Sequence, residues 1–482
     1  KFATTARRVG AQMPVLTVVG GRSADGQRAA KSHTAAAATP LVTREALFEP
    51  AGIIATESLG ELIGTAAFLS CQPCPAGRRV AVVSNAGGAG VLAADACVDG
   101  GLVLAAISEA TRTRLAEILP SGATIANPVD TTAAIGAAAF GDCLAAVAAD
   151  DGIDAVICAI VPTAMADLTE TLAAARLLKP LAVAVLDQAE DVRLVASQTG
   201  GDAVPSFAYP ESAAKALSHA TRYGTWRYRQ PGQVPALPDV RADEARELVA
   251  DYLHANPEGG WLPATLAGRL LDCYQIPQVT TVLARTGQEA ITAASSMGGP
   301  VVLKAQAEGL VHKTEAGAVR LDLRSTGDVT SAYQDLVAAF GDKLTGVLVQ
   351  PMLHGGVEVL IGVVTEPVFG PLVVFGLGGV ATDLLGDHCA RLTPLTDTDA
   401  TDLIKGVRAA RLLEGYRDQP AVDTGALADV LLRVSRLADD LPEVAELDLN
   451  PVIARADGCQ AADARIRIVP VKPADPYLRK LR

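Results

Sequence analysis

The sequence predicts an α/β protein whose first part contains a parallel sheet and whose last part has an α+β layout. Between the Pro- and Gly-rich segments 71–77 and 230–238, short apolar runs alternate with helical patterns, which is typical of a parallel sheet with helical crossovers. After Val240 the pattern changes to helices followed by strands with more hairpin character. Both segments are rich in turn residues, so we interpret them as domain boundaries.

Apolar runs of the first part are predicted to be strands, and amphipathic stretches supply the crossovers. The predicted strands are 14–19, 80–84, 102–106, 155–161 and 181–186, and the predicted helices are 90–98, 109–119 and 140–149. In the last part, helices are predicted at 242–254, 263–274 and 426–437, and strands at 301–304, 346–350, 358–363, 372–375 and 446–449. Doubly wound sheets bind ligands at the carboxyl ends of their strands, so functional residues are expected there.

Composition excludes several classes of protein. A chain of 482 residues with 50% hydrophobic content builds more than one core. The net charge of −13 and the aromatic content of 4% do not indicate a basic surface that binds nucleic acid. No apolar run approaches the roughly 18 residues of a membrane span, and residues 1–10 do not resemble a secretory signal. With 8 scattered Cys, these features predict a cytoplasmic protein with reduced thiols.

Cys71 and Cys74 form a CxxC, a spacing found in redox motifs and zinc sites. A zinc site requires further ligands, and neither a second CxxC nor a nearby His completes a tetrahedral set. We therefore interpret both as linker cysteines.

The first motif that carries chemistry is Ser32-His33-Thr34, followed by an Ala-rich run up to Thr39. A histidine in a loop after a strand is accessible to a phosphoryl group, and a helix starting in the Ala run would favour an anion at its N-terminus. From its position alone, the favoured interpretation of His33 is a helix cap or a surface residue.

The second motif is a glycine-rich segment at the end of the predicted strand 80–84, containing Gly87, Gly88 and Gly90. Glycines let the backbone approach an anion closely, and the N-terminus of the following helix directs N–H donors towards it. A purely structural turn is an equal alternative at this stage.

The third motif combines Lys304, at the end of an apolar strand, with His312 and Lys313 in a loop near Gly317. A partly buried lysine requires an anionic partner, and nucleotide phosphates suit it. An edge lysine with its ammonium in water is the structural alternative.

The fourth group contains acidic and amide side chains in apolar strands: Glu358, Asp448, Asn450 and Asp463. Strand alternation places Asp448 and Asn450 on one face, which Asp463 could join from a neighbouring strand. Oxygen ligands of this kind suit Mg²⁺ bound to ATP phosphates. A solvated strand face is the alternative.

In this order, the motifs resemble the NDP-forming acyl-CoA synthetase family, which is related to succinyl-CoA synthetase and ADP-forming acetate–CoA ligase. The resemblance covers nearly the whole chain and rests on independent motifs. They are Ser32-His33-Thr34, Asn85-Ala86-Gly87-Gly88, Asn127-Pro128-Val129-Asp130, Leu303-Lys304, His312-Lys313, Phe369-Gly370-Pro371, Asp448-Leu449-Asn450-Pro451 and Asp463-Ala464-Arg465-Ile466.

The resemblance implies a phosphate relay. His33 is then the phosphohistidine of the ligase site, and the helix opened by the glycines Gly87, Gly88 and Gly90 faces the same phosphate. His312 resembles a second phosphohistidine that carries phosphate between distant sites. Histidine can accept and release a phosphoryl group, which divides one difficult transfer into two easier ones.

The resemblance also implies a nucleotide site for ATP or ADP. Lys304 and Glu358 would hold ATP, Gln350 and Met352 would flank the adenine, and Mg²⁺ would be bound by Asn450, Asp463 and Asp448. The implied fold is a pair of flavodoxin-like, succinyl-CoA-synthetase-type ligase domains followed by an ATP-grasp domain. The expected bounds are a partial phosphohistidine domain at 1–70, a second ligase domain at 77–225, a linker at 226–240 and the ATP-grasp domain at 241–482.

The family's CoA-binding Rossmann domain is expected to precede Lys1, on the same full-length chain or on a partner chain, and to bind most of CoA. The implied substrates are a small carboxylate or its acyl-CoA, and a homo-oligomer is a further expectation. Ala35 and Thr39 replace the glycines usual in the family. This Ala-rich version also resembles synthetase modules fused to an N-acetyltransferase. The alternative function is therefore acyl-CoA or nucleotide sensing that regulates lysine acetylation, with weak or no ligase activity.

Overall fold

A computed structural model describes residues 2–18, 20, 25, 46–48, 50–164, 167–174, 177, 179–195, 203–230, 232–307, 317–366, 370–378, 387–417 and 420–471. The chain forms two compact units, Lys1–Gln230 and Pro231–Arg482, called here the first and second unit. No helix in the described part of the chain is long and apolar enough to cross a membrane.

The first unit begins with a small parallel β-sheet. Its elements are α1 (Phe2–Gln12), β1 (Val15–Val18), β2 (Ile53–Thr56) and α2 (Leu59–Cys71). Strands β1 and β2 pair in parallel from Val15 with Ile53 onwards. The hydroxyl of Ser58 caps α2 by accepting the N–H of Glu61. Cys71 is the last residue of α2, so it belongs to a helix and the prediction that it is a linker residue was wrong.

The rest of the first unit is a seven-stranded sheet with helical crossovers, called here the parallel sheet. Its strands are β3 (Arg79–Ser84), β4 (Val103–Leu104), β5 (Val129–Asp130), β6 (Ala155–Ile160), β7 (Leu181–Val185), β8 (Val192–Val195) and β9 (Val204–Phe207). Its helices are α3 (Gly87–Asp99), α4 (Glu109–Ile118), α5 (Ala137–Ala148), α6 (Leu168–Ala174) and α7 (Pro210–Tyr228). The order is β4-β3-β6-β7-β9-β8, with β5 paired to β3 and only β8 antiparallel to its neighbour.

Burial on both faces explains why the central strands are almost entirely apolar. Every residue of β6 and β7 is buried. Alternate residues of β6 contribute to two different cores, with Val156 in one and Ile157 in the other. Such continuous apolar runs are typical of parallel strands covered by helices on both sides. The parallel sheet with helical crossovers predicted from the sequence is therefore confirmed.

Helix α7 connects the two sheets of the first unit. The phenol of Tyr223 donates a 2.7 Å hydrogen bond to the carbonyl oxygen of Gly10. The indole of Trp226 donates to the carbonyl oxygen of Pro50 at 3.3 Å and packs against Gly52. These contacts fix the two-stranded sheet of β1 and β2 to the parallel sheet.

The second unit contains a four-stranded antiparallel sheet, called the small sheet, which follows two helices and one strand. In chain order the elements are α8 (Ala242–Ala255), β10 (Gly260–Trp261), α9 (Ala264–Cys273), β11 (Val282–Ala284), α10 (Gly287–Met297), β12 (Val301–Ala307), β13 (Val319–Leu323), α11 (Thr326–Phe340) and β14 (Leu344–Pro351). The strand order is β11-β14-β12-β13. Helices α10 and α11 share one apolar core with the sheet face that carries Val301 and Leu303.

A seven-stranded sheet, called the large sheet, forms the rest of the second unit. Its remaining elements are β15 (Val357–Glu366), β16 (Gly370–Leu377), β17 (His388–Leu392), α12 (Asp397–Gly406), α13 (Ala410–Leu413), α14 (Thr424–Asp440), β18 (Val444–Arg455), β19 (Gly458–Ala461) and β20 (Ala464–Ile468). The order is β10-β20-β18-β15-β16-β17, with β19 paired to β18.

One face of the large sheet packs on helices and the other carries the polar residues. Val359, Ile361 and Leu449 lie in a core shared with α8, α9, α12 and α14. Because side chains alternate along a strand, Glu358 and Asp448 lie on the opposite face. We call this opposite side the polar face.

Candidate functional site

Lys304 is a buried cation that links the small sheet to the large sheet. Only 8% of the residue is exposed, and its ammonium donates a 2.7 Å hydrogen bond to the carbonyl oxygen of Ala462. Its neighbours Leu303 and Ala305 point into the core of the small sheet, so alternation directs Lys304 to the other side. The structure thus places the lysine beside the residue that precedes Asp463.

Asp448, Asn450 and Asp463 are brought together by strand pairing. Strand β18 carries Asp448 and Asn450, both partly exposed, while Leu449 between them is buried. Leu449 pairs with Ala464, the residue directly after Asp463. In addition, Ala462 donates its N–H group to the carbonyl oxygen of Pro451 at 2.9 Å. Residues that are distant in sequence therefore converge at one edge of the polar face.

The donor chemistry of this edge fits Mg²⁺ that arrives with a nucleotide. Carboxylate and amide oxygens are the ligands that Mg²⁺ prefers, and it is usually held by one or two carboxylates together with substrate phosphates. Within the described residues, no group of three or more His, Cys, Asp or Glu side chains could hold a metal ion alone. Asp463 and Asn450 would thus supply part of the coordination, and phosphate oxygens the rest.

Glu358 lies near the start of β15, one strand away from Asn450. It is exposed, and it pairs with Ile453 of β18. Its carbonyl oxygen accepts the N–H of Gly378 at 2.9 Å, which fixes the backbone there. The structure therefore places Glu358 on the polar face, further along β18 from Asp448.

Gln350 and Met352 lie at the end of β14, where the small sheet leads into the large sheet. Gln350 is 7% exposed and its amide donates to the Thr281 hydroxyl at 2.8 Å. Its Cα partner is Val302, two residues before Lys304 on β12. The N–H group of Met352 donates to the carbonyl oxygen of Pro300 at 2.8 Å. These hydrogen bonds hold Gln350 and the Met352 backbone in place beside β12 and β11.

The glycine motif of the first unit is helical, which corrects the expected turn. Helix α3 begins at Gly87, so Gly87, Gly88 and Gly90 form its first turn. No side chain caps this N-terminus, and a side chain added at Gly88 would meet nothing within 4 Å. The Ser84 hydroxyl accepts the Ala86 N–H group at 3.1 Å directly before the helix. The Gly90 N–H group donates to the carbonyl oxygen of Ala86 at 3.1 Å, whereas the N-cap residue Ala86 offers no side-chain acceptor to the N–H groups that precede Gly90.

Buried polar side chains hold this helix start in place. Asn85 is 1% exposed, and its amide exchanges hydrogen bonds of 2.7 and 2.8 Å with the backbone of Val161. Asp130 accepts the Thr132 N–H at 2.9 Å with one oxygen. Its other oxygen lies 3.0 Å from where a Gly87 Cβ would be, so a side chain at this position would crowd the carboxylate. No role for Asp130 was predicted from the sequence.

Both predicted phosphohistidines, His33 and His312, lie outside the described residues, as do Ala35, Thr39 and Lys313. The structure therefore does not test them.

Family models match three parts of the chain. They are a succinyl-CoA ligase like flavodoxin domain at residues 1–69, a ligase-CoA domain at residues 80–222 and an ATP-grasp domain at residues 254–468. The ADP-forming acetate–CoA ligase I of Archaeoglobus fulgidus is 33% identical over 471 residues, which is 97% of this chain and 68% of that protein. The chain belongs to the ADP-forming acetate–CoA ligase family.

Relatives of this family also occur as separate subunits and have been solved with ligands. The ADP-forming acetate–CoA ligase I subunit beta of Pyrococcus furiosus is 34% identical over 231 residues, 47% of this chain and 98% of that protein. A Candidatus Korarchaeum cryptofilum acetyl-coenzyme A synthetase 1, solved with coenzyme A and Ca-AMPCP, is 38% identical. That match covers 46% of this chain and 99% of the other chain, with a TM-score of 0.44.

Membership of this family confirms the fold class and the enzyme class predicted from the sequence. The ATP-grasp match contains every nucleotide-site candidate, and the ligase-CoA match contains Gly87, Gly88 and Gly90. The two sequence relatives named above are ligases, so the acetyltransferase-linked alternative gains no support from them.

Proposed function

We propose that this chain supplies the phosphoryl-transfer half of an ADP-forming acid–CoA ligase acting on acetate or a similar small carboxylate. The reaction joins a carboxylate to CoA while ATP is converted to ADP and phosphate. The observation that carries the proposal is the convergence of Lys304, Asn450 and Asp463 within the ATP-grasp match. Family membership along 97% of the chain supports the reaction class.

In the second unit, Lys304 would donate to phosphate oxygens, and Asp463, Asn450 and Asp448 would face the metal. Bound Mg²⁺ would neutralise phosphate charge and orient the nucleotide. Glu358 would line the same face, and the adenine would lie near Gln350 and Met352. Electrostatic stabilisation of this type is the main contribution that proteins make to phosphoryl transfer.

In the first unit, the uncapped start of α3 would bind the phosphoryl group that reaches the ligase site. N–H groups of a helix N-terminus favour anions, and Gly87, Gly88 and Gly90 carry no side chain that could block the approach. His33 would carry the phosphate here and His312 would carry it from the nucleotide. We propose the bounds 1–70, 77–225, 226–240 and 241–482 for the domains that divide these tasks.

Most CoA contacts would come from a region that this chain does not span, on the same polypeptide or on a partner. The proposal is supported by the 68% coverage of a full-length relative and by the existence of a relative with a separate beta subunit. A homo-oligomer and a cytoplasmic location remain predictions.

The test is phosphoprotein formation by the full-length protein with γ-labelled ATP and Mg²⁺. A label that is lost in acid and stable in base indicates phosphohistidine. His312→Ala is expected to abolish labelling, and His33→Ala to block acyl-CoA formation from acetate, CoA and ATP. His254→Ala is the matched control, because this histidine is exposed on α8. Normal labelling of His312→Ala, or acyl-CoA synthesis by His33→Ala, would contradict the assigned roles.

A further inference from the structure

Arg465 is stacked on Trp261 at the polar face of the large sheet. The guanidinium carbon lies 4.5 Å from the centroid of the indole ring. Trp261 belongs to β10, which pairs with β20 through Trp261 and Arg467. The carbonyl oxygen of Trp261 accepts the Tyr252 hydroxyl at 3.2 Å, and the ring is 38% exposed. The indole is thus an anchored and accessible platform for the guanidinium.

The stack orients Arg465 without using its hydrogen-bond donors. A ring beneath the guanidinium covers one face of the planar group, whereas the N–H donors lie in the plane at its edges. Among the residues that the structure describes, Arg465 forms no ion pair and its side chain donates no hydrogen bond. The in-plane N–H donors of a partly buried guanidinium oriented in this way can bind an anion.

Strand pairing places this guanidinium next to the proposed metal-binding edge. Ile466 and Ile468 point into the core, so Arg465 lies on the polar face with Asp463, two residues before it on the chain. The Cα partner of Arg465 on β18 is Asp448. Ala462, which accepts the hydrogen bond from Lys304, is three residues away.

The negative charge of the proposed nucleotide polyphosphate would be stabilised by a second cationic side chain at this edge. Mg²⁺ cancels only part of the negative charge of a nucleoside triphosphate, and the carboxylates of Asp448 and Asp463 add more. Lys304 supplies one positive charge from the side of the small sheet. Arg465 supplies another from the large sheet, with a planar fork that matches phosphate oxygens.

We propose that Arg465, held on Trp261, is a phosphate-binding residue that donates N–H groups to the nucleotide polyphosphate beside Asp463. This inference rests on the proposed nucleotide site of the second unit. Trp261 is then a positioning residue that acts through Arg465. Neither residue was assigned a role from the sequence.

The experiment is calorimetric titration of the full chain with Mg²⁺–ATP, Mg²⁺–ADP, AMP and adenosine. Arg465→Ala is expected to weaken Mg²⁺–ATP binding about tenfold or more, Mg²⁺–ADP binding less, and adenosine binding by less than about twofold. Arg465→Lys is expected to lose less affinity for Mg²⁺–ATP, because lysine keeps the positive charge but lacks the planar set of guanidinium donors. Arg269→Ala is the matched control, since Arg269 is exposed on α9, which packs on the opposite face of the large sheet, and it should bind like the wild type.

Substitution of Trp261 separates positioning from charge. Trp261→Phe keeps an aromatic face and should retain most of the affinity, whereas Trp261→Leu should weaken Mg²⁺–ATP more than adenosine. Wild-type affinity for Mg²⁺–ATP in Arg465→Ala, or an equal loss for adenosine, would overturn the inference. The same titrations distinguish this inference from the proposed function. A wild-type chain that binds Mg²⁺–ATP but forms no phosphohistidine would contradict the phosphate relay, but it would not contradict the phosphate-binding role of Arg465.

Discussion

The ammonium of Lys304 and the carbonyl oxygen of Ala462 are joined by a 2.7 Å hydrogen bond that connects the small sheet to the large sheet. Because Ala462 directly precedes Asp463, the same contact sets the cation beside the proposed metal-binding edge. A lysine that is 8% exposed requires such a partner, since an unpaired buried charge is costly. Nucleotide phosphates would be a stronger partner for the Lys304 ammonium than this carbonyl oxygen.

Lys304→Met keeps the aliphatic stem and removes the charge. We expect affinity for Mg²⁺–ATP to fall about ten- to a hundredfold, because a hydrogen bond to a charged group contributes about 1.5 to 3 kcal/mol. The melting temperature should change little, since the buried ammonium is replaced by an apolar group. Calorimetric titration and thermal unfolding measure the two effects. Lys405→Met, on the exposed side of α12, is the control, and unchanged Mg²⁺–ATP affinity in Lys304→Met would remove the lysine from the site.

Gly88→Ala is expected to separate stability from activity in the first unit. The added methyl group meets nothing within 4 Å, and alanine favours a helix over glycine by up to about 1 kcal/mol, so the chain should be no less stable. The methyl group would nevertheless project at the start of α3, where the phosphoryl group is proposed to bind. We expect acyl-CoA formation by the full-length protein to fall at least about tenfold, with phosphorylation by ATP retained. Undiminished acyl-CoA formation would argue against phosphate binding at this helix start.

The sequence predicted the parallel sheet well because its strands are buried on both faces and therefore read as apolar runs. The predicted strand 181–186 corresponds to Leu181–Val185, and the predicted helix 109–119 to Glu109–Ile118. The start of α3 was placed too late, since glycine is a weak helix former and its presence in a first turn reads as a loop.

The candidate site was only partly accessible to sequence reasoning. Alternation along β18 predicted the shared face of Asp448 and Asn450, and the structure places both there. The contact of Lys304 with Ala462 could not be predicted, because it uses a backbone carbonyl and leaves no side-chain signal. The stack of Arg465 on Trp261 depends on the pairing of β10 with β20, which joins residues about 200 positions apart.

Gly52→Ala is expected to destabilise the first unit strongly. Gly52 has a φ of +68°, and a Cβ at this position would lie 2.3 Å from the Trp226 ring. Backbone strain and overpacking together predict a loss of about 2 to 4 kcal/mol in the free energy of unfolding. Urea unfolding followed by tryptophan fluorescence in a Trp261→Phe background reports on Trp226. Gly136→Ala, with open space around it and no left-handed backbone, is the control and should lose no more than about 1 kcal/mol, because alanine is a poorer helix N-cap than glycine. Equal stability of the two variants would contradict the packing described for α7.

His219 on α7 predicts a pH dependence of stability. It is 7% exposed, and burial together with the Arg222 guanidinium lowers its pKa to about 4, although Glu61 acts in the opposite direction. Lys215 lowers this pKa further, and Glu57 opposes it. The unfolded chain, with a His pKa of about 6.5, binds a proton that the folded chain does not. Stability therefore falls as the pH drops below about 6.5 and is independent of this group at higher pH.

We expect the free energy of unfolding to fall by about 2 kcal/mol between pH 7.5 and pH 5 through this histidine. Urea denaturation at several pH values measures the slope, and the window stays above pH 5 to limit the contribution of carboxylates. His219→Gln should flatten the curve, whereas His254→Gln, at an exposed position, should keep the wild-type slope. A full slope in His219→Gln would assign the pH dependence to other groups.

Mg²⁺ binding is expected to depend on the nucleotide. Because Mg²⁺ is usually held by one or two carboxylates together with substrate phosphates, titration with Mg²⁺ in the absence of ATP should give no saturable binding at about millimolar concentration. With ATP present, Asp463→Asn should raise the Mg²⁺ concentration required for phosphoprotein formation about tenfold, since an amide oxygen is a weaker ligand than a carboxylate. Asp457→Asn is the control, because Asp457 is exposed in the turn before β19 and pairs with Arg455. Tight Mg²⁺ binding without nucleotide, or an unchanged requirement in Asp463→Asn, would show that the metal is held elsewhere.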